Sequence, residues 1–99
     1  MNPPEECASI EDVRLGIDAL DREVVALLGR RARYVEAAAR FKTSEESVHS
    51  PERRKAMLEA RRRWAHEEGL SPEVIEEVYE TLVSYFVSRE MDRWRNTPS

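Results

Sequence analysis

Residues 9–42 read SIEDVRLGIDALDREVVALLGRRARYVEAAARFK. Taken every third or fourth residue, this stretch gives Ile10, Val13, Ile17, Leu20, Val24, Leu27, Arg31, Tyr34, Ala38 and Phe41. Steps that alternate three and four make a heptad seam, the pattern of a helix that lays one apolar edge against a partner. Ser9 is the expected N-cap, with Asp12 three residues on and Glu11 in the first turn. Gly16 and Gly29 each cost about 1 kcal/mol against Ala inside a helix. Gly29 could end the helix, but the heptad phase is the same on both sides of it and no loop residues follow. The spacing therefore predicts one helix through to Lys42, about 50 Å long. A compact chain of this size has a radius of gyration near ~13 Å. Such a helix overhangs its own domain, and its seam calls for a second copy of the chain.

The rest of the chain supplies two shorter helices. Residues 1–8 read as a poorly ordered start and 43–49 as a short polar loop. Ser50-Pro51-Glu52 carries an N-cap, an N1 proline and an acidic N2 residue. The helix it opens runs to about Glu68, with Met57, Leu58, Trp64 and Ala65 as its expected buried stripe. Gly69 is its expected C′ residue, followed by apolar Leu70. Ser71-Pro72-Glu73 repeats the start signal. The third helix carries Ile75, Val78, Tyr79, Leu82, Val83, Phe86, Val87, Glu90, Met91 and Trp94, and stops near Asn96. No stretch alternates as a strand. The expected class is all-α: a single domain over residues 1–99, one long N-terminal helix plus two shorter ones.

Composition narrows the function. The net charge of −4 argues against a general nucleic-acid binder despite local basic clusters. No run nears the ~20 apolar residues of a membrane span, and no signal peptide opens the chain. The single Cys7 cannot form an internal disulfide, so a cytoplasmic setting is expected. The two His and one Cys lack metal-ligand spacing, and no metal or cofactor is expected.

Several residues break their local pattern. Arg31, Val35, Ala38 and Lys42 share one face of the first helix, at i, i+4, i+7 and i+11. Two cations flanking a small residue can converge on a compact anion; alternatively they rim the core with their heads in water. Arg53 sits at N3 of the second helix, where the macrodipole disfavours a cation. Either an anion docks beside it or it is one exposed member of the Glu52-Arg53-Arg54-Lys55 run. Glu90 shares a stripe with Leu82, Phe86 and Trp94. Burial would favour its protonated form, and a salt bridge to Arg89, Arg93 or a first-helix cation is the alternative. Arg14 lies about 40 Å along the helix from Lys42, so only an antiparallel partner helix could bring the two to one ligand. No nucleophile stands beside a base, and no glycine-rich phosphate loop is present. A cage of cations without covalent machinery suits catalysis by holding a dianion in its reactive conformation.

These residues resemble a known family. Arg14, Gly29-Arg30-Arg31, Arg40-Phe41-Lys42, Pro51-Glu52-Arg53 and the three-helix plan are similar to the all-helical chorismate mutases. DVRLGIDALD, LLGRRARYVEAAARFK, SPERRKAML and RRRWAHEEGL resemble, within that group, the isochorismate pyruvate lyases of salicylate and siderophore biosynthesis. The likeness covers about residues 5–95. It implies an intertwined homodimer with two shared active sites and a small dicarboxylate substrate, isochorismate or chorismate. It further implies that Arg14, from the partner subunit, and Arg31 bind the substrate carboxylates. Lys42 would meet a carboxylate and the ether oxygen of the enolpyruvyl group, and residue 90 would donate to that oxygen from the other side. Arg53 would help close the loop over the site, with Val35, Ala38 and Val87 against the substrate.

Mutases of this family carry an Asp before the proline of the second helix and a Glu after its Arg. Here those places hold Ser50 and Arg54, which favours the lyase. Glu90 cuts the other way, since the similar bacterial lyases have Gln there and some fungal mutases have Glu, but the longer likeness is to the lyases. The expectation is therefore a lyase giving salicylate and pyruvate with weak mutase activity. A chorismate mutase, and a non-catalytic helical interaction module, are the alternatives.

Overall fold

The Ser9 hydroxyl accepts from the Asp12 N–H at 3.2 Å, and the Asp12 carboxylate reaches back to the Ala8 N–H at 3.0 Å. The first contact satisfies one of the donors orphaned at a helix start. The return contact falls on Ala8, one residue earlier than a capping box would place it. These contacts are seen in a computed structural model that describes residues 2–41 and 50–96, the last four through their backbone alone. Helix α1 follows as Ile10–Ala39, unbroken through Gly16 and Gly29. It stops three residues short of the expected end. The Arg40 and Phe41 N–H groups bond to Ala37 and Ala38 at 3.2 and 3.0 Å, the tighter 3₁₀ spacing of a closing turn. Lys42 and the 43–49 loop lie outside the described residues.

The remaining elements are helix α2, Pro51–Glu67, and helix α3, Pro72–Asn96. The opening residues, expected to be unstructured, include one 3₁₀ turn, Pro4–Glu6. Among the described residues every regular element is helical. Tertiary contacts divide the chain into two compact units, Met1–Tyr34 and Val35–Ser99. In the first unit no residue of α1 is buried, and the seam lies in solvent: Ile17, Leu20 and Val24 are 51%, 53% and 52% exposed.

In the second unit α2 and α3 pack as an antiparallel hairpin. Its turn is a Schellman motif: Leu70 N–H bonds to Ala65 C=O at 2.8 Å and Gly69 N–H to His66 C=O at 3.1 Å. Gly69 takes φ 75°, the left-handed conformation that the motif requires. Ser71 caps α3 through the Val74 N–H at 3.3 Å. Ser50 holds the corresponding place before α2, but its side chain makes no cap hydrogen bond. Arg62 ties the base of the hairpin to Glu76 at 3.0 Å and to Glu73 at 3.3 Å. The Glu73 carboxyl is held below its ordinary range by its own backbone N–H, then by the Ser71 hydroxyl and Arg62. Its contribution to stability is therefore present above its unfolded pKa and lost as pH falls through the lowered folded value.

Met57, Leu58, Ala65, Phe86 and Met91 form the apolar core of this unit. Trp64, expected in the buried stripe, is 48% exposed. The reason is Arg61, one turn after Met57 and one before Ala65, on the buried edge of α2. Its guanidinium lies 4.6 Å from the Trp64 ring and 5.5 Å from that of Tyr79. Trp64 therefore covers an arginine rather than filling the core. Val78 is likewise exposed, and the side chain of Trp94 lies outside the described residues.

Replacing Gly69 with alanine tests the turn. A Cβ there would meet nothing within 4 Å, so the cost is the backbone conformation alone. Gly69→Ala should lower stability by about 1–2 kcal/mol, read as a lower urea midpoint with an unchanged slope.

Candidate active site

Of the residues singled out in the sequence, four fall in the second unit on elements that an ion pair ties together. Val35 and Ala38, both half-buried, lie on the last turns of α1. Half-buried Val87 and buried Glu90 lie on the C-terminal half of α3. Between these helices Glu36 Oε1 meets Arg89 Nη2 at 3.2 Å. The pair brings residue 36 alongside residue 89, each one residue from a candidate site position.

Glu90 is the buried charged side chain of this unit, 8% exposed, with Oε2 shut off from solvent. It is flanked along α3 by buried Phe86 and Met91. A carboxyl in such surroundings loses hydration, which disfavours the charged form unless a cation or donors replace the water. Arg89 was one expected partner for it. The structure gives Arg89 instead to Glu36 and to Tyr85, whose hydroxyl lies 3.4 Å from Nη1. Adjacent residues on a helix point about 100° apart, so Arg89 and Glu90 serve different surroundings.

Arg14 and Arg31 both belong to the first unit. Arg14 is exposed; Arg31 is half-buried, with its Nη1 shut off from solvent. Because α1 is unbroken between them, their backbones stand about 25 Å apart along the axis. No side chain spans that distance, so one chain cannot bring both to one small molecule. Arg53 is exposed in the first turn of α2. Lys42 lies outside the described residues.

Three contacts were not anticipated. Arg54 donates from Nη2 to the Ser84 hydroxyl across the hairpin at 3.4 Å. Arg61 lies over Trp64 and Tyr79, and Glu36 pairs with Arg89. The sequence singled out Arg53 alone among the arginines of α2 as a candidate site residue, and only the hairpin register shows which of the others turn inward. Among the described residues no group of three or more His, Cys, Asp or Glu could hold a metal ion. Nor is any described helix long and apolar enough to cross a membrane.

The three α-helices among the described residues, the run of cations and the buried acid match a known pattern. Residues 13–91 match the family described as chorismate mutase type II. The chain belongs to that family. It is 41% identical over 97 residues to the isochorismate pyruvate lyase of Pseudomonas aeruginosa, covering 98% of this chain and 96% of that protein. It is also 38% identical over 71 residues to the T-protein of Haemophilus influenzae, 71% of this chain but 19% of that protein.

Proposed function

We propose that this chain is an isochorismate pyruvate lyase, converting isochorismate to salicylate and pyruvate in one cofactor-free step. The observation that carries the reading is the 41% identity, over nearly the whole of both chains, to a protein of that activity. In the reaction the ether C–O bond breaks as a ring hydrogen passes to the enolpyruvyl methylene carbon. The ring becomes aromatic and pyruvate leaves. No nucleophile is needed. The enzyme must hold the side chain over the ring and stabilise negative charge growing on the ether oxygen.

The roles follow from that need. Arg31 and Arg14 of the partner subunit bind the two carboxylates, and Lys42 meets one carboxylate and the ether oxygen. Glu90, protonated, donates to the same oxygen from the other side, and Arg53 closes over the bound substrate. Val35, Ala38 and Val87 line the site. A homodimer with two shared sites supplies the second copy. It is supported by the ~25 Å between Arg14 and Arg31 on one helix and by the exposed seam of α1. Completing the burial of half-exposed Ile, Leu and Val side chains is worth roughly 1 kcal/mol each, a substantial drive to pair. The setting is cytoplasmic, which the lone Cys7 suits. The family match favours residual chorismate mutase activity, since the same cations would hold chorismate. Ser50 and Arg54 put no carboxylate at the places where the mutases hold the ring hydroxyl.

The direct assay follows salicylate and pyruvate released from isochorismate, with prephenate from chorismate measured alongside. Prephenate as the main product, with no salicylate, would reverse the assignment. Sharing of the site has its own test. Arg14→Ala and Arg31→Ala should each nearly abolish turnover while leaving the dimer intact. Mixed and refolded together, they should regain on the order of a quarter of wild-type activity, because half of the dimers then carry one complete site. A mixture as inactive as its components would rule the shared site out.

The protonated state of Glu90 sets a pH dependence. The active form is the acid, so kcat/KM should be highest at low pH and fall as pH rises through the Glu90 pKa. Glu90→Gln, which keeps a donor at every pH, should flatten that limb. A wild-type profile without an acidic limb would sink the assignment.

A further inference from the structure

Glu36 and Arg89 are conspicuous for what flanks them. Glu36 follows Val35 and precedes Ala38 by two residues; Arg89 precedes Glu90 and follows Val87 by two. At 3.6 residues per turn, Glu36 lies about 130° round α1 from the face bearing Val35 and Ala38. Arg89 lies about 130° round α3 from the face bearing Val87 and Glu90. On α3 the arc between them is occupied by buried Phe86. The ion pair and the candidate substrate-facing residues thus stand on opposite flanks, with Phe86 between them.

The guanidinium is set before it meets the carboxylate. Arg89 lies 5.5 Å from the centre of the Tyr85 ring and donates to the Tyr85 hydroxyl at 3.4 Å. Its other nitrogen then reaches Glu36 at 3.2 Å. With side chains 46% and 41% exposed, the pair is too well solvated to add much to global stability. What it constrains is local: the rotation and depth of the last turns of α1 against α3.

We infer that Arg89 and Glu36 are positioning residues. Their ion pair, braced by Tyr85, sets the alignment of the Val35–Ala38 turn with the Val87–Glu90 turn and hence the fit of the reactive substrate conformation. The inference rests on the site assignment proposed above. Neither residue touches substrate. A misplacement near 1 Å in such a site can cost on the order of a hundredfold in rate, far more than the stability of the pair implies.

The test is charge exchange, with steady-state kinetics on isochorismate and thermal melting of the same samples. Glu36→Arg and Arg89→Glu each place like charges at the contact. Each should lower kcat by about tenfold or more with KM little changed, the mark of a lost reactive alignment rather than lost binding. The midpoint of melting should move little. The double exchange, Glu36→Arg with Arg89→Glu, restores the attraction and should recover most of kcat. A purely structural pair would instead move the melting midpoint and leave kcat per folded enzyme unchanged, which overturns the inference. So does a double exchange no better than its single components. Should a reversal fail to fold, Glu36→Gln removes the attraction without adding repulsion and should lower kcat by less; an unchanged kcat there also overturns it. Wild-type protein that releases no salicylate removes the site assignment itself. Active wild type with insensitive variants removes only the positioning role.

Discussion

Thirty residues of continuous helix carry an apolar seam whose Ile17, Leu20 and Val24 stand about half exposed, and much of this protein follows from that constraint. A helix gains most of its stability in proteins from the apolar face it buries, not from intrinsic propensity. In α1 that face is present in the sequence, and its Ile, Leu and Val side chains are about half exposed. The same continuity that exposes the seam also keeps Arg14 and Arg31 about 25 Å apart. The proposed pairing of copies and the proposed sharing of a substrate site both rest on this one geometry.

The α2–α3 hairpin supplies the contrasting element, a short-range scaffold set by local chemistry. The Schellman turn at Gly69, the Ser71 cap and the Arg62 pairs with Glu73 and Glu76 define where α3 begins and how it lies on α2. Further along, Arg54 reaches Ser84, and Arg61 is enclosed between Trp64 and Tyr79. These contacts lie about two turns apart on α2. They hold in place the helix that carries Val87 and Glu90.

The chemistry asked of such a site is modest in covalent terms and demanding in geometry. A pericyclic elimination needs no nucleophile, but it does need a dianion folded into one conformation and a growing oxyanion matched with donors. Arginine suits the first task because its planar fork meets a carboxylate with two parallel bonds and stays charged. A buried carboxyl suits the second only in its acid form, so the role proposed for Glu90 depends on its surroundings as much as on its identity.

Helix starts at Ser9, Pro51 and Pro72, the stop at Gly69 and the passage of α1 through Gly29 were all legible in the residues. Each depends on hydrogen bonds or dihedral preferences spanning a few positions. The end of α1 came three residues early because a closing 3₁₀ turn leaves no mark on the heptad pattern. Trp64 was misjudged for a different reason. Periodicity ranks side chains by hydrophobicity, and it could not foresee that Arg61 would occupy the buried edge with the tryptophan as its cover. The sequence by itself determined the three helices, their order and a short roster of cations and one acid. Only the tertiary structure decided that Arg89 serves Glu36 rather than Glu90, that Arg54 is turned to Ser84, and that Trp64 lies over Arg61. Those outcomes depend on which faces of separate helices meet, and that information lies in the packing of distant residues.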